Sequence, residues 1–346
     1  MLRCPVWSGA EGAPLNVTTN ITGQRARGPG RLARIVRHKD VSIFLLTVAL
    51  MAIFSLVNPL FPTWDNVSVL LKTMPELGLI AIGMTMLIIA GEFDLSVGST
   101  FALAPFVMAY VAERLGVNAF LAFLACIAVG VAIGWLNGFI TTKIGISSFI
   151  TTLGTMMALR GLVLLASAGF PEAFQRDRLV AQVFNGSIGS FPIQFLWFIG
   201  LAAVLWLVLE NHRFGNWTFV TGGNRGASVA MGISVDRVKI ANFMIVGGLA
   251  AMAGAIQVFR MGSAYSNAGE GMELSAIAAT VIGGTMLTGG AGTMVGTVMG
   301  TLILFSVENF LILSRAPAFW FRFFVGVIVI VAASVHLLVQ GKKRNG

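Results

Sequence analysis

From about residue 41 onward, apolar runs of roughly 20 residues alternate with short polar gaps. A helix of that length covers the ~30 Å hydrocarbon core of a bilayer. The pattern therefore predicts an all-α fold, a polytopic transmembrane helical bundle. The runs fall at about 41–58, 67–90, 96–112, 119–140, 148–168, 193–210, 240–260, 273–290, 292–313 and 319–339, which makes about ten membrane spans. Several contain Gly or Pro, which membrane helices tolerate better than soluble ones. The eighth and ninth runs are divided only by the turn Gly289-Gly290-Ala291-Gly292, so one of the two is a candidate re-entrant segment.

The chain then divides into a basic tail at 1–40, a transmembrane domain at 41–339 and a short basic tail at 340–346. The first tail is rich in Gly, Asn, Thr and Arg and is expected to be disordered. It has no apolar stretch of the kind a signal peptide needs, so the first membrane helix is expected to be retained. With the N-terminus inside, the inside segments carry Arg25, Arg27, Arg31, Arg34, Arg37, Lys39, Lys143, Arg213, Arg225, Arg237, Lys239, Lys342, Lys343 and Arg344. The outside segments carry only Lys72, Arg114, Arg176, Arg178, Arg260 and Arg315. This imbalance places both termini in the cytoplasm, and an even number of spans agrees. The longest outside connection is 169–192, broken by Pro171, Gly186, Gly189 and Pro192; the longest inside connection is 211–239. Loops of that length in a compact protein tend to be functional.

Composition strengthens the membrane reading. The 346 residues are 56% hydrophobic and 11% charged, against about 25% charged in soluble domains. The net charge of +9 is not gathered on one aromatic-interleaved face, so no nucleic-acid partner is expected. Cys4 and Cys126 lie in a polar tail and an apolar run, and no disulfide framework follows. The sequence has no H-E-x-x-H, no phosphate loop and no metal-ligand cluster, and His38, His212 and His336 sit at or near span ends. The expectation is a chain that is not an enzyme, with no catalytic residue, no metal and no cofactor of its own.

Polar groups inside apolar runs carry more weight, because a charge at mid-membrane costs about 2.5–3.5 kcal/mol even on a lenient scale. Glu92, Asp94, Arg160, Glu308 and Arg322 are such groups, with Asn137, Thr151, Thr152 and Thr155 as cheaper polar neighbours. Asp94, Ser96, Asn137, Thr151, Thr152 and Glu273 are the candidate solute-path residues, able to hydrogen-bond a hydroxylated solute if they share a water-filled route. Helix capping by Glu92 and Asp94, snorkelling or ion pairing by Arg160 and Arg322, and helix-to-helix bonding by Asn137 and the threonines compete with that role. Asp94-Leu95-Ser96 opens the third run and Glu273-Leu274-Ser275 the eighth, five spans later. An inverted-topology repeat gives such an echo, and so does the ordinary preference of acids and hydroxyls for helix starts. Gly292, Gly296 and Gly300 recur every four residues, a helix-packing face that admits close approach.

The inside connection has its own pattern, Gly222-Gly223-Asn224-Arg225-Gly226-Ala227-Ser228-Val229-Ala230-Met231-Gly232-Ile233. Asn224 or Ser228 can start a short helix and Gly232 can end it. Ala227, Ala230 and Met231 stand at i, i+3 and i+4 and form a small apolar face flanked by charges. Such a knob implies something that docks on it, with an amphipathic loop lying on lipid as the competing reading. A cysteine at position 228 is expected to be labelled only from the cytoplasm.

From about 42 to 339 the chain resembles the membrane subunits of ribose-, xylose- and arabinose-type ATP-binding-cassette importers. The likeness rests on Gly91-Glu92-Phe93-Asp94-Leu95-Ser96-Val97-Gly98-Ser99, on Asn137-Gly138 through Thr155-Met156 to Arg160-Gly161, on the Gly-Gly-Asn loop with Gly232-Ile233, and on Glu273-Leu274 through Gly283-Gly284-Thr285 to Gly296. The resemblance implies a permease subunit in a bacterial inner membrane that carries a sugar, polyol or related solute. It also implies a second permease subunit (homodimer or heterodimer), a cytoplasmic ATP-binding subunit that holds the ATP, and a periplasmic solute-binding protein. Asn224, Ala227, Ser228, Ala230, Met231, Gly232 and Ile233 become the ATPase-coupling segment. The chain departs from the pattern at Glu92, where Gly is common, at Arg225-Gly226, where an acidic residue and Ala are common, and at Ala291, where Lys is often found. The alternative is an ion-coupled secondary transporter with Asp94 or Glu308 as coupling carboxylate, which leaves the long inside connection without a purpose.

Overall fold

A computed structural model describes residues 39–174, 178–317, 319–327 and 330. The tails expected at 1–40 and 340–346, but for residues 39 and 40, lie outside the described residues. The described chain is helical almost throughout: α1 (Lys39–Val57), α2 (Trp64–Ile89), α3 (Val97–Leu115), α4 (Ala119–Phe139), α5 (Ser148–Ser167), α6 (Arg178–Asn185), α7 (Ile193–Asn211), α8 (Arg213–Gly223), α9 (Arg225–Ala230), α10 (Val235–Met261), α11 (Met272–Ile282) and α12 (Met294–Leu313). Residues 319–327 are helical as well. Six of these helices, α2, α4 with its continuation to Ile144, α5, α7, α10 and α12, are long and apolar enough to cross a membrane.

Two helices form the centre. α10 packs most extensively on α4 and then on α2 and α3, and both α2 and α10 are buried over most of their length. Their burial explains why neither needs an amphipathic stripe, since a helix surrounded on all sides is apolar all round. α4 reaches α10 through glycines: a Cβ at Gly134 would lie 2.1 Å from the Phe243 carbonyl oxygen. The helix ends follow local chemistry. The Asn118 side chain accepts from the Phe120 amide at the start of α4, and the Thr293 hydroxyl accepts from the Gly296 amide at the start of α12. Beyond Phe139, α4 widens into a π-turn, Ile140–Ile144, that ends at Gly145.

The eighth expected span departs from the prediction. α11 has 11 residues, about 16 Å of helix at 1.5 Å per residue and about half the hydrocarbon thickness. Gly283 and Gly284 end it, and residues 283–293 turn back to α12. The closeness of this turn requires glycine: a Cβ on Gly296 would sit 2.0 Å from the Gly283 carbonyl oxygen, and one on Gly300 2.1 Å from that of Ala279. Gly292, the third of the spaced glycines, lies against Thr285 and Ile89. The connection 169–192 is folded rather than open. Two short strands, Glu172–Ala173 and Ser263–Ala264, pair antiparallel, and Phe184 of α6 stacks on Phe259 with ring centroids 5.0 Å apart.

The packing predicts opposite outcomes for two glycines. Gly296→Leu forces α11 and α12 apart and lowers the thermal midpoint of the detergent-purified protein by several degrees, at a cost of about 1–3 kcal/mol. Gly200→Ala in α7, where an added Cβ meets nothing within 4 Å, leaves the midpoint unchanged or slightly raised, as a helix gains from Ala over Gly. Equal melting shifts for the two variants contradict this packing.

Candidate functional site

The turn between α2 and α3, residues 90–96, folds around Asp94. Its Oδ1 accepts from the Ser96 amide at 2.7 Å and from the Ser96 hydroxyl at 2.6 Å. Asn137 of α4 donates through Nδ2 to Asp94 Oδ2 at 3.2 Å and to Ser96 Oγ at 2.9 Å. The Thr155 hydroxyl of α5 donates to Asn137 Oδ1 at 2.7 Å, and the Leu95 amide donates to Thr152 Oγ1 at 3.0 Å. Asp94, Ser96, Asn137 and Thr152 are all buried, and Thr151 beside them is buried with its hydroxyl unpartnered. Five of the six expected solute-path residues thus gather into one polar knot. Four of those five commit their side-chain hydrogen bonds to one another and to nearby backbone. The knot ties the 90–96 turn to α4 and α5.

The sixth, Glu273, stands apart in the first turn of α11. Here Arg160 of α5 does something the sequence left open. Its Nη1 donates to the carbonyls of Ser266 at 2.8 Å and Ala268 at 2.9 Å, and its Nη2 reaches the Gly98 carbonyl at 3.4 Å. The guanidinium therefore clamps the irregular segment 265–271, which leads into α11, onto the beginning of α3. Non-helical backbone at membrane depth must find partners inside the protein, and a planar fork of donors suits three carbonyls. Gly98 fits against Gly269 and the Glu273 carboxylate so closely that a Cβ there would lie 2.4 Å from each. Next to the clamp opens a cavity of about 500 Å³, lined among others by Ser99, Met157, Arg160, Asn267, Glu270 and Glu273.

A second cavity, of about 510 Å³, lies between α2, α12 and the helix at 319–327, and Glu270 lines this one too. Glu308 and Arg322, both singled out by the sequence, face it together with Glu76, Arg260 and Asn309. Glu76 went unnoticed in the sequence. It is buried in α2 and receives Arg260 of α10 at 2.7 Å and 2.9 Å and Gln257 at 3.2 Å. A glutamate inside an apolar run is the signal that would have found it, since such a charge needs a buried partner. Among the described residues no group of three His, Cys, Asp or Glu side chains could hold a metal ion.

The 211–239 connection forms a bracket of two helices. α8 starts on His212, whose Nδ1 accepts from the Phe214 amide. Its C-terminal end runs hard against the rest of the bundle: a Cβ on Gly222 would overlap the Ile89 carbonyl oxygen at 1.8 Å. Asn224 then caps α9, accepting from the Ala227 amide at 3.0 Å, and Gly232 follows with φ +75°. The exposed ridge is Val229, Ala230 and Met231; Ala227 and Ile233 are half-buried and Asn224 and Gly232 exposed. Two details of the sequence reading need correction. Val229, not Ala227, completes the apolar face, because the helix is a single turn and a half and its Ala227–Ser228 side packs inward. Ser228 is fully buried, with its hydroxyl donating to the Asn224 carbonyl at 3.0 Å, so a label at position 228 is out of reach.

Long apolar helices, a half-helix, a clamped irregular segment and an exposed two-helix bracket describe a helical bundle built to lie in a membrane. Residues 66–333 match the family of branched-chain amino acid transport system / permease components, and the chain belongs to that family. It is 38% identical over 290 residues to the ribose import permease protein of Bacillus subtilis (strain 168), covering 84% of this chain and 90% of that one. The ribose import permease protein of Escherichia coli (strain K12) is 37% identical over 332 residues, 94% and 100% of the two chains. The xylose/arabinose import permease protein of Sulfolobus acidocaldarius is 31% identical over 309 residues, 87% and 85%. No solved structure matches the chain. The protein is a multi-pass membrane permease component.

The knot makes a stability prediction. Asn137→Ala removes two donors from the buried Asp94–Ser96 pair and should cost about 1–3 kcal/mol. The variant's thermal midpoint in detergent should fall by several degrees, and an unchanged midpoint means the bonds at Asn137 do not hold the turn.

Proposed function

We propose that the chain is the permease subunit of an importer for a sugar, polyol or related small hydroxylated solute in the inner membrane, driven by separate cytoplasmic ATPase subunits. The observation that carries this reading is the bracket α8–α9. An exposed ridge of Val229, Ala230 and Met231 sits on a base that meets α2 and the 289–290 turn backbone to backbone. A rigid base with an apolar tip is suited to receiving a push from a docked partner, and an ion-coupled carrier has no need of one. The import permeases among the relatives agree with the pentose-type solute class. Both termini and the bracket then face the cytoplasm, in keeping with the distribution of Lys and Arg.

In this reading two permease copies form the route, homodimeric or heterodimeric, and a periplasmic solute-binding protein delivers the solute. α5 is the least buried of the long helices, and beside it the Arg160 cavity opens among Ser99, Asn267, Glu270 and Glu273. Charged groups at membrane depth face a water-filled space or a partner, and a path along α5 meets that demand. These side chains offer donors and acceptors for sugar hydroxyls. Asp94, Ser96, Asn137, Thr151 and Thr152 act as the scaffold of the path, and Glu273 as its one member from the expected set that meets the cavity.

Two measurements test the reading. Ala230→Glu puts a charge on the ridge without touching the bundle; uptake should be abolished and the ATPase subunit should no longer co-purify, while the protein remains in the membrane. Normal co-purification of the variant would falsify the docking role of the ridge. A cysteine at Val229 should react with an impermeant thiol reagent in inverted vesicles and stay unlabelled in intact cells. Labelling in intact cells reverses the orientation.

A further inference from the structure

A partly buried ion pair joins the foot of α10, which follows the bracket in the chain, to the turn that carries the polar knot. Lys239, one turn into α10 and just beyond the bracket, meets Glu92 at 2.5 Å, and the two side chains are only 16% and 15% exposed. Glu92 stands two residues before Asp94 in the 90–96 turn. A second pair, Lys143 with Asp236 at 2.7 Å, joins the π-turn after α4 to the foot of α10, but more openly, at 52% and 30% exposure. Between them lies a small polar cavity of about 240 Å³, whose lining includes Glu92, Thr141, Arg225, Asp236 and Lys239. Arg225 is the first residue of α9, so the bracket, the foot of α10 and the 90–96 turn all reach this one space.

We propose that Glu92 and Lys239 form the strut that carries displacement of the bracket into the 90–96 turn. The proposal rests on the motor reading of the bracket. Apolar surfaces slide past one another, whereas a short, partly shielded ion pair holds one geometry and loses its attraction when the two charges separate. Beyond Glu92 the connection is continuous. Asp94 is bonded to Asn137, Leu95 to Thr152, and three residues further Gly98 lies under the Arg160 clamp. A pull on Glu92 therefore moves the start of α3 against α5 and α11, beside the cavity at Arg160. Glu92 and Lys239 are positioning residues; neither touches the route itself.

The test uses the assembled permease–ATPase complex in proteoliposomes, in a Cys4→Ser, Cys126→Ala background with Met157→Cys as reporter of the Arg160 cavity. The reading is the rate of maleimide labelling with and without ATP plus vanadate. In the background, nucleotide should change the rate on the order of tenfold. Glu92→Gln and Lys239→Gln should each reduce that change to about twofold or less, with the ATPase still co-purifying. The exchanged pair Glu92→Lys with Lys239→Glu should restore it, as a pairwise interaction requires. Lys143→Gln should leave it intact. A full nucleotide effect in Glu92→Gln overturns the strut. So does loss of ATPase co-purification in that variant, which would make the pair part of docking, and so does failure of the exchanged pair to restore the response. A background whose labelling ignores nucleotide removes the motor reading itself and the strut with it.

Discussion

The structure depends on giving hydrogen-bond partners to irregular backbone inside the helical bundle. Arg160 is the interaction that does so: one guanidinium serves the carbonyls of Ser266, Ala268 and Gly98. Without it, the chain entering α11 would leave unpaired acceptors at membrane depth, each costing about as much as a lost buried hydrogen bond. With it, α11 can be a half-helix and α3 can begin inside the bundle. Interrupted helices of this kind place binding groups near the middle of a membrane in transporters, and the cavity beside Arg160 lies where the interruption is.

The same rule explains the knot at Asp94. A carboxylate that is almost wholly enclosed can stay only where donors converge on it, and Ser96 and Asn137 supply them. Both arrangements join α5 to the centre of the bundle, one near Thr152 and Thr155 and the other at Arg160. Among the described residues α5 packs mainly on α3, α4 and the π-turn, and these polar bonds add to a small apolar cluster around Val163. The central helices α2 and α10 are held differently, by continuous apolar contact and by the Glu76–Arg260 pair.

Much of this was legible in the residues. The runs of apolar positions marked α1, α2, α3, α4, α5, α7, α10 and α12 to within a few residues, because span length and the cost of lipid-exposed backbone leave few alternatives. The bracket was legible too, since Asn224 and Gly232 are strong local signals for the ends of a short helix. Of the three spaced glycines read as one helix face, Gly296 and Gly300 pack from α12 on Gly283 and Ala279, whereas Gly292 precedes that helix and lies in the turn. Which way a short helix turns was not legible: one and a half turns have too little periodicity to fix a buried side, so Ala227 was placed on the exposed apolar face instead of Val229 and position 228 was taken as open to a label.

The sequence alone determined a multi-spanning helical protein with a long connection that carries a short helix, and a set of polar residues set inside apolar runs. Hydrophobic length and charge placement are local properties, readable one segment at a time. Only the tertiary structure decided that Asp94, Ser96, Asn137 and Thr152 meet one another, that Glu273 does not join them, that Arg160 bonds carbonyls instead of a carboxylate, and that Glu76 has Arg260. Apart from the local Asp94–Ser96 bonds, those are pairings between residues tens to hundreds of positions apart. Nothing in a single segment specifies a partner until the helices are brought side by side.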